Sequence, residues 1–205
     1  MIKIQGKIPK DRVYVATSGG VDSMAIVDFL RRDRSVRMVF IDHGTNTSQE
    51  AYNFLRNYVD DDQSNELKFV DMLTHWIDSN VPNGTSQEEH WRNERYKFFH
   101  SIDAPVITCH HLNDCVETWV WSSMHGEGKI IPYANKNVIR PFRLNPKKEL
   151  ANWAISHNVP WVDDKTNFDL KYTRNYIRHE MMPHVLRVNP GIEKVIKKKI
   201  SNETH

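Results

Sequence analysis

Cysteine is nearly absent: Cys109 and Cys115 are the only two in 205 residues. Two thiols build no disulfide framework, which points to a reducing, cytoplasmic setting. No apolar run is long enough to span a bilayer. The opening Met1-Ile2-Lys3-Ile4 is broken by charge too early for a secretory signal. Charge of one sign is not in excess, with 28 Lys and Arg against 26 acids. The excess is local instead: residues 171–205 hold eight Lys or Arg and three acids. A basic C-terminal portion suits a polyanion, although Lys197-Lys198-Lys199 alone reads as a solvated, lysine-rich tail. Internal repeats and low-complexity linkers are missing. Two common phosphate loops are missing too. A Walker loop needs lysine and a hydroxyl after its second glycine, and Gly128-Lys129 is followed by Ile130. The three spaced glycines of a dinucleotide fingerprint occur after no strand.

What the chain does have is alternation. Strand patterns at Arg12–Ala16, Val36–Ile41, Leu67–Met72 and Pro105–Cys109 are separated by helical spacing at Asp22–Arg32, Ser48–Val59 and Ser86–Ile102. Ser86 stands as the cap of the last of these, with Glu89 three residues on. A further helix covers Asn113–Met124. The alternation predicts an α/β fold: an open, mostly parallel sheet with crossover helices. After residue 145 strands become scarce. Val138–Phe142 reads as the end of a strand, Pro146–His157 as an amphipathic helix, and Thr173–Val188 as another interrupted near Pro183. The expected division is a nucleotide-binding core over 1–145 and a helical extension with a basic tail over 146–205.

Ser18-Gly19-Gly20-Val21-Asp22-Ser23 sits where the first strand stops and the first helix starts. Glycines let the backbone turn sharply and approach a ligand. The N–H groups of a helix N-terminus attract an anion, and Ser18 and Ser23 add hydroxyls. The bland alternative is an ordinary glycine turn. Asp22 beside phosphates needs a cation between, and Mg²⁺ binds through few carboxylates plus phosphate oxygens. Asp22 also suits the helix dipole. Two more polar clusters follow strands, Asp42-His43-Gly44 and His110-His111-Leu112-Asn113-Asp114-Cys115-Val116-Glu117-Thr118. Ligands of open α/β sheets bind at that edge. Asp114 and Glu117 share a helix face and suit a metal or an ammonium. A zinc site from Cys109, His110, His111 and Cys115 is disfavoured, because adjacent strand residues point to opposite faces. Arg92 with Arg95, and Arg174 with Arg178, pair along helices; they suit phosphate or RNA, or else surface ion pairs with Glu88, Glu89 or Glu94.

The glycine string resembles the pyrophosphate loop of the PP-loop ATP pyrophosphatases. Taken with Asp42-His43-Gly44, Arg92-Asn93-Glu94-Arg95-Tyr96, His110-His111-x-x-Asp114-x-x-Glu117-Thr118, Gly126-x-Gly128 and Arg140-Pro141, the chain resembles the catalytic domain of the tRNA(Ile)-lysidine synthetase family. Asp163-Asp164-Lys165-Thr166-Asn167, Tyr172-Thr173-Arg174-Asn175-Tyr176-Ile177-Arg178 and Met182-Pro183 are the most discriminating stretches. Thr45-Asn46, His125 and Cys115 depart from the family pattern, which has Leu-Arg, Arg and Gln there.

The resemblance implies an RNA-modifying ligase. ATP adenylates O2 of the wobble cytidine in an isoleucine tRNA, and the amine of L-lysine then displaces AMP to form lysidine. It implies that Ser18, Gly19, Gly20, Asp22, Ser23 and Asp42 hold ATP, with Mg²⁺ on Asp22. Asp114 and Glu117 would bind the lysine ammonium or assist its deprotonation, and Arg174 would stabilise phosphate charge. Arg92, Arg95, His110, His111, Asn175 and Arg178 would serve the RNA side. The grip on RNA would come from a homodimer, a helper protein or the basic tail alone, and the RNA itself could be a different one. The competing readings are a PP-loop tRNA thiolation enzyme, an amide-forming synthetase, and a nucleotide-dependent RNA-binding protein without turnover.

Overall fold

The computed structural model describes residues 1–62, 70–78, 80–163 and 165–203. Strand β1 (Arg12–Ala16) feeds helix α1 (Val21–Arg31), and β2 (Ser35–Asp42) feeds α2 (Asn46–Asp62). Then come β3 (Val70–Trp76), α3 (Gln87–Ser101), β4 (Val106–Thr108) and α4 (Leu112–Met124). A short hairpin, β5 (Ala134–Asn135) and β6 (Val138–Ile139), precedes α5 (Lys147–Ser156). The six strands lie in the order β3-β2-β1-β4-β6-β5. All neighbours are parallel except β5 with β6. This is the doubly wound sheet that the alternation predicts. Its strand order reverses between β1 and β4, so the crevice beyond their carboxyl ends is where a ligand fits.

Local differences from the sequence reading have physical causes. The third strand runs on to Trp76, paired with β2 as far as Asp42↔Trp76; residues 67–69 of the expected strand lie outside the described residues. The expected strand Val138–Phe142 keeps only Val138 and Ile139, because the chain turns under the sheet and buries Phe142. Lys136, at φ 53°, makes the hairpin turn before it. Ser86 does cap α3, its Oγ accepting from the Glu89 N–H at 3.2 Å. The departure at Thr45-Asn46 is a capping box for α2. Thr45 Oγ1 accepts from the Ser48 N–H at 3.1 Å, and Ser48 Oγ accepts from the Thr45 N–H at 3.0 Å.

Val13, Val15, Met24, Ile26, Leu30 and Met38 form the centre of the core, and Leu150, Ala154 and Val159 from the later chain lie in the same cluster. Helix α5 lies against α1: Phe29 meets Trp153 edge-on at 5.2 Å, and Trp153 Nε1 donates to Asp28 Oδ2 at 2.9 Å. Arg143 is wholly buried, bonding Gln5 Oε1 and pairing with Glu203 at 2.8 Å. It thereby ties the first residues of the chain to the last described one.

Helix α6 (Thr173–Tyr176) passes through one π turn, Ile177–Met181, into α7 (Met182–Val188). Pro183 lacks an N–H and its ring crowds the carbonyl four residues back, which explains the widened turn before it. The interruption therefore lies just upstream of the proline. The lysine-rich tail is α8 (Ile192–Ser201), and only its outer face is solvated. Ile192, Ile196 and Ile200 recur every fourth residue and pack on Leu112, Cys115, Val116 and Val120 of α4. Among the described residues no helix is long and apolar enough to cross a membrane.

Ile196→Ala removes a fully buried side chain from the α4–α8 seam. It is expected to cost about 3 kcal/mol in urea unfolding, whereas exposed Val195→Ala is expected to leave the midpoint nearly unmoved; equal effects would refute this packing.

Candidate active site

The turn after β1 is built for close approach. Gly19 has φ +83°, and a Cβ there would meet Val162 Cγ1 at 3.0 Å. Val162 also donates its N–H to the Gly19 carbonyl at 3.0 Å. Gly20 caps α1 with no side chain, so the first-turn N–H groups keep their anion-attracting character. Ser23 Oγ donates to the Gly20 carbonyl at 2.9 Å and accepts from the Ser18 N–H at 3.3 Å, which closes the loop. Asp22 stands in the first turn. Its Oδ1 is buried and has no hydrogen-bond partner. Its Oδ2 lies 3.6 Å from His111 Nε2 and 3.8 Å from Lys147 Nζ. A carboxylate oxygen left bare beside a phosphate cradle fits a hard divalent cation.

Beyond β2, Asp42 Oδ1 accepts from the Gly44 N–H at 2.8 Å and from Ser48 Oγ at 2.6 Å. That carboxylate shapes the loop. His43 packs against Trp91 with ring centroids 4.7 Å apart and planes tilted by 38°, and its buried Nδ1 has no hydrogen-bond partner. Burial, with help from Arg95 and against Asp42, pushes the His43 imidazole down to about 4.

Beyond β4, His111 and Asp114 form a capping box for α4. Asp114 Oδ2 accepts from the His111 N–H at 2.9 Å, and His111 Nδ1 accepts from the Asp114 N–H at 3.3 Å. The other ring nitrogen, Nε2, faces Asp22. Asp114 and Glu117 are both buried. Arg174 Nη2 donates to Asp114 Oδ1 at 2.7 Å. Arg178 grips Glu117 with two bonds, at 2.9 and 3.0 Å, and reaches Asp114 Oδ1 at 3.2 Å. Burial alone would raise the Asp114 carboxyl. His111, Arg174 and His110, with the His111 N–H, outweigh it and hold Asp114 well below the usual carboxylate range. Burial lowers the Arg178 guanidinium, yet Glu117 and Asp114 more than restore it and leave it raised. Asn175 does not face the carboxylates; its Nδ2 donates to the carbonyls of Thr166 at 2.7 Å and Asp169 at 3.0 Å, fixing the loop before α6.

A third wall is cationic. Arg92 and Arg95 lie over the Tyr96 ring, at 5.1 and 5.9 Å, and neither has an ion pair among the described residues. Glu94 pairs with Lys97 instead, at 3.5 Å. Burial lowers the Arg95 guanidinium, and Arg92 and Arg174 add to that. His110 bonds Thr108 Oγ1 at 2.9 Å. Burial pushes His110 down to about 3 against the pull of Asp114, with Arg174, Arg140 and Arg95 contributing. The two thiols do not join the site as ligands. Cys109 donates to the Ala16 carbonyl at 3.4 Å, and Cys115 faces α8. No three of His, Cys, Asp or Glu are gathered for a metal among the described residues. Lys147 and Asn113 are the site residues that sequence reasoning missed. Asn113 Oδ1 accepts from the Lys147 N–H at 2.9 Å. The available signal was Asn145-Pro146-Lys147, a helix start that puts a cation in the first turn.

Two histidines held neutral by burial set a pH dependence. Their folded values lie below the ordinary imidazole value, so the unfolded chain binds more protons beneath about pH 6.5. Stability is therefore complete above that pH and falls as the pH drops towards 4, at about 1.4 kcal/mol per pH unit for each proton taken up. Urea midpoints at pH 7, 6 and 5 are expected to decline, with a shallower decline in His110→Asn; a flat profile would contradict the burial of these rings.

The PP-loop domain family matches residues 1–185. Three curated relatives are named tRNA(Ile)-lysidine synthase. The protein of Thermosipho africanus is 35% identical over 94% of this chain and 48% of its own length. That of Thermotoga maritima is 32% identical over 93% and 49%, and that of Lactiplantibacillus plantarum 33% over 91% and 44%. The chain thus spans about half the length of the curated relatives it matches. Among solved structures, the U34-tRNA thiolase NcsA from Methanococcus maripaludis, with its 4Fe-4S cluster, aligns with a TM-score of 0.66. That alignment covers 95% of this chain and 72% of NcsA at 12% identity, a likeness of fold alone. With its glycine turn at the sheet's switch point and a family match over most of its length, this chain belongs to the PP-loop domain family.

Proposed function

We propose that this chain is the catalytic part of a tRNA(Ile)-lysidine synthase, which adenylates a wobble cytidine and joins lysine to it. One observation carries the reading. His111 touches both halves of the site, with Nε2 3.6 Å from Asp22 and Nδ1 3.4 Å from Asp114. The glycine turn and a buried carboxylate pair therefore share one side chain, the arrangement that a reaction joining a nucleotide phosphate and an amine at one place would need. The curated relatives' name supports the same chemistry.

In the first step O2 of the cytidine bonds to the α-phosphorus of ATP. The bond from that phosphorus to the bridging oxygen breaks, and its electron pair leaves with pyrophosphate. Gly19, Gly20, Ser18 and Ser23 hold the phosphates, and Arg92, Arg95 and His110 line the RNA side. Asp22, through its unpartnered Oδ1, would hold Mg²⁺, which screens phosphate charge when bound. In the second step the bound ammonium first releases a proton to solvent water; the neutral amine then bonds to C2, the C2–O2 bond breaks, and AMP departs with that oxygen and the electron pair. A carboxyl held as low as Asp114 is a poor base near neutrality. Its role is to anchor the ammonium. Arg174, half exposed where Arg178 is mostly covered, yields Asp114 to that ammonium and turns to the phosphate.

Thiolation, the activity named for NcsA, is the poorer fit. A sulfur-transferring cysteine acts as a thiolate. Burial, then Asp22 and Asp114, pushes the Cys109 thiol far up, and burial pushes Cys115 to about 12.

The deciding measurement is pyrophosphate release from Mg-ATP with unmodified tRNA(Ile), alongside incorporation of labelled lysine into the RNA. Lysine-dependent incorporation is expected; AMP release that requires a sulfur donor would overturn the reading. Asp22→Ala is expected to lose about 100-fold or more in pyrophosphate release, the scale of removing one charge-stabilising group. Asp114→Asn is expected to slow lysine transfer more than pyrophosphate release, and equal losses would remove Asp114 from the amine site.

A further inference from the structure

The phosphate turn contains no cationic side chain, although a bound triphosphate concentrates negative charge there. Walker loops meet that charge with a lysine of their own. Here a lysine reaches the same place from a distant part of the chain. Lys147 opens α5, and its Nζ lies 3.8 Å from Asp22 Oδ2, at the base of the glycine turn. Its side chain is 43% exposed, so the ammonium keeps the freedom to turn from Asp22 to a ligand.

The backbone beneath it is fixed from three sides. The Lys147 N–H donates to Asn113 Oδ1 at 2.9 Å. Asn113 Nδ2 donates in turn to Glu193 Oε1 of α8 at 2.9 Å. Leu150 and Ala154, on the same helix, are fully buried in the core shared with α1. Helix α1 carries Asp22, so the root of the lysine and the glycine turn are held on one packed core. This is how a flexible ammonium is placed without ordering its whole stem.

We propose that Lys147 is a further catalytic residue whose ammonium binds the pyrophosphate end of the nucleotide, and that Asn113 positions it. The inference rests on phosphates occupying the 18–23 turn, as in the proposed function. When the bond to the α-phosphorus breaks, the departing pyrophosphate takes the electron pair. An ammonium at that end stabilises the charge as it forms. In the ligand-free protein Asp22 is the ammonium's counter-ion, and it is released when phosphate and a divalent cation bind.

The test is calorimetric titration of the whole chain with inorganic pyrophosphate plus Mg²⁺, with ATP, and with AMP. Wild type, Lys147→Ala, Lys147→Arg and Asn113→Ala are compared, and thermal unfolding checks that each is folded. Lys147→Ala is expected to weaken pyrophosphate and ATP by about 10- to 100-fold, the scale of one hydrogen bond to a charged group. AMP, which lacks the pyrophosphate end, is expected to bind nearly as before. Lys147→Arg should keep most of the affinity, and Asn113→Ala should fall between. Wild-type pyrophosphate affinity in Lys147→Ala, or an equal loss for AMP, overturns the assignment while leaving the phosphate turn in place. A wild-type chain that binds neither ATP nor pyrophosphate overturns both.

Discussion

Two carboxylates taken out of water must be paired, and that requirement organises the second half of this molecule. Asp114 and Glu117 project from the first turns of α4 into a closed space, where an unmatched charge would cost several kcal/mol. Their guanidinium partners come from about sixty residues downstream, at Arg174 and Arg178. The chain after α5 therefore has to return across the end of the sheet. The π turn at Ile177–Met181 begins just before Arg178, and Asn175 and His179 fasten the preceding loop through the carbonyls of Thr166, Asp169 and Asn167. Removing Arg178 strips Glu117 of both its guanidinium bonds, whereas removing Arg174 leaves Asp114 still held by Arg178 and the His111 N–H. The same pairing holds the Asp114 carboxyl well below the usual carboxylate range.

The parts of this arrangement that depend on neighbours along the chain were legible in the sequence. Alternating apolar runs gave the parallel sheet, because strand and helix periods differ and the runs are long. Gly19 and Gly20 marked the tight turn between β1 and α1, because few residues other than glycine reach φ near +83°. Ser86 with Glu89 marked a helix start because a cap bonds only three residues ahead. Asp114 and Glu117 were visible as a pair, since residues three apart share a face.

Contacts between distant residues were hidden. Lys147 meets Asp22 across more than a hundred residues, and no local pattern records it. Asn113 looks like any polar residue at a helix start, yet its amide joins α5 and α8 to α4. In the tail, three consecutive lysines masked the isoleucines at 192, 196 and 200, whose four-residue spacing belongs to a buried face. The hairpin of two-residue strands is too short to have a period. Thr45 illustrates the opposite case: a departure from the family string that is explained locally, by reciprocal capping with Ser48.

The contact between Gly19 and Val162 means that the glycine turn after β1 is packed by a segment more than a hundred residues further along the chain. Valine at 162 fills the space that any side chain at 19 would need and holds the turn by a backbone bond. A fragment ending at the last sheet strand would carry the whole glycine signature and lack the valine that packs against it and bonds its backbone. In this chain the unit that holds the glycine turn in shape is larger than the motif by which it is recognised.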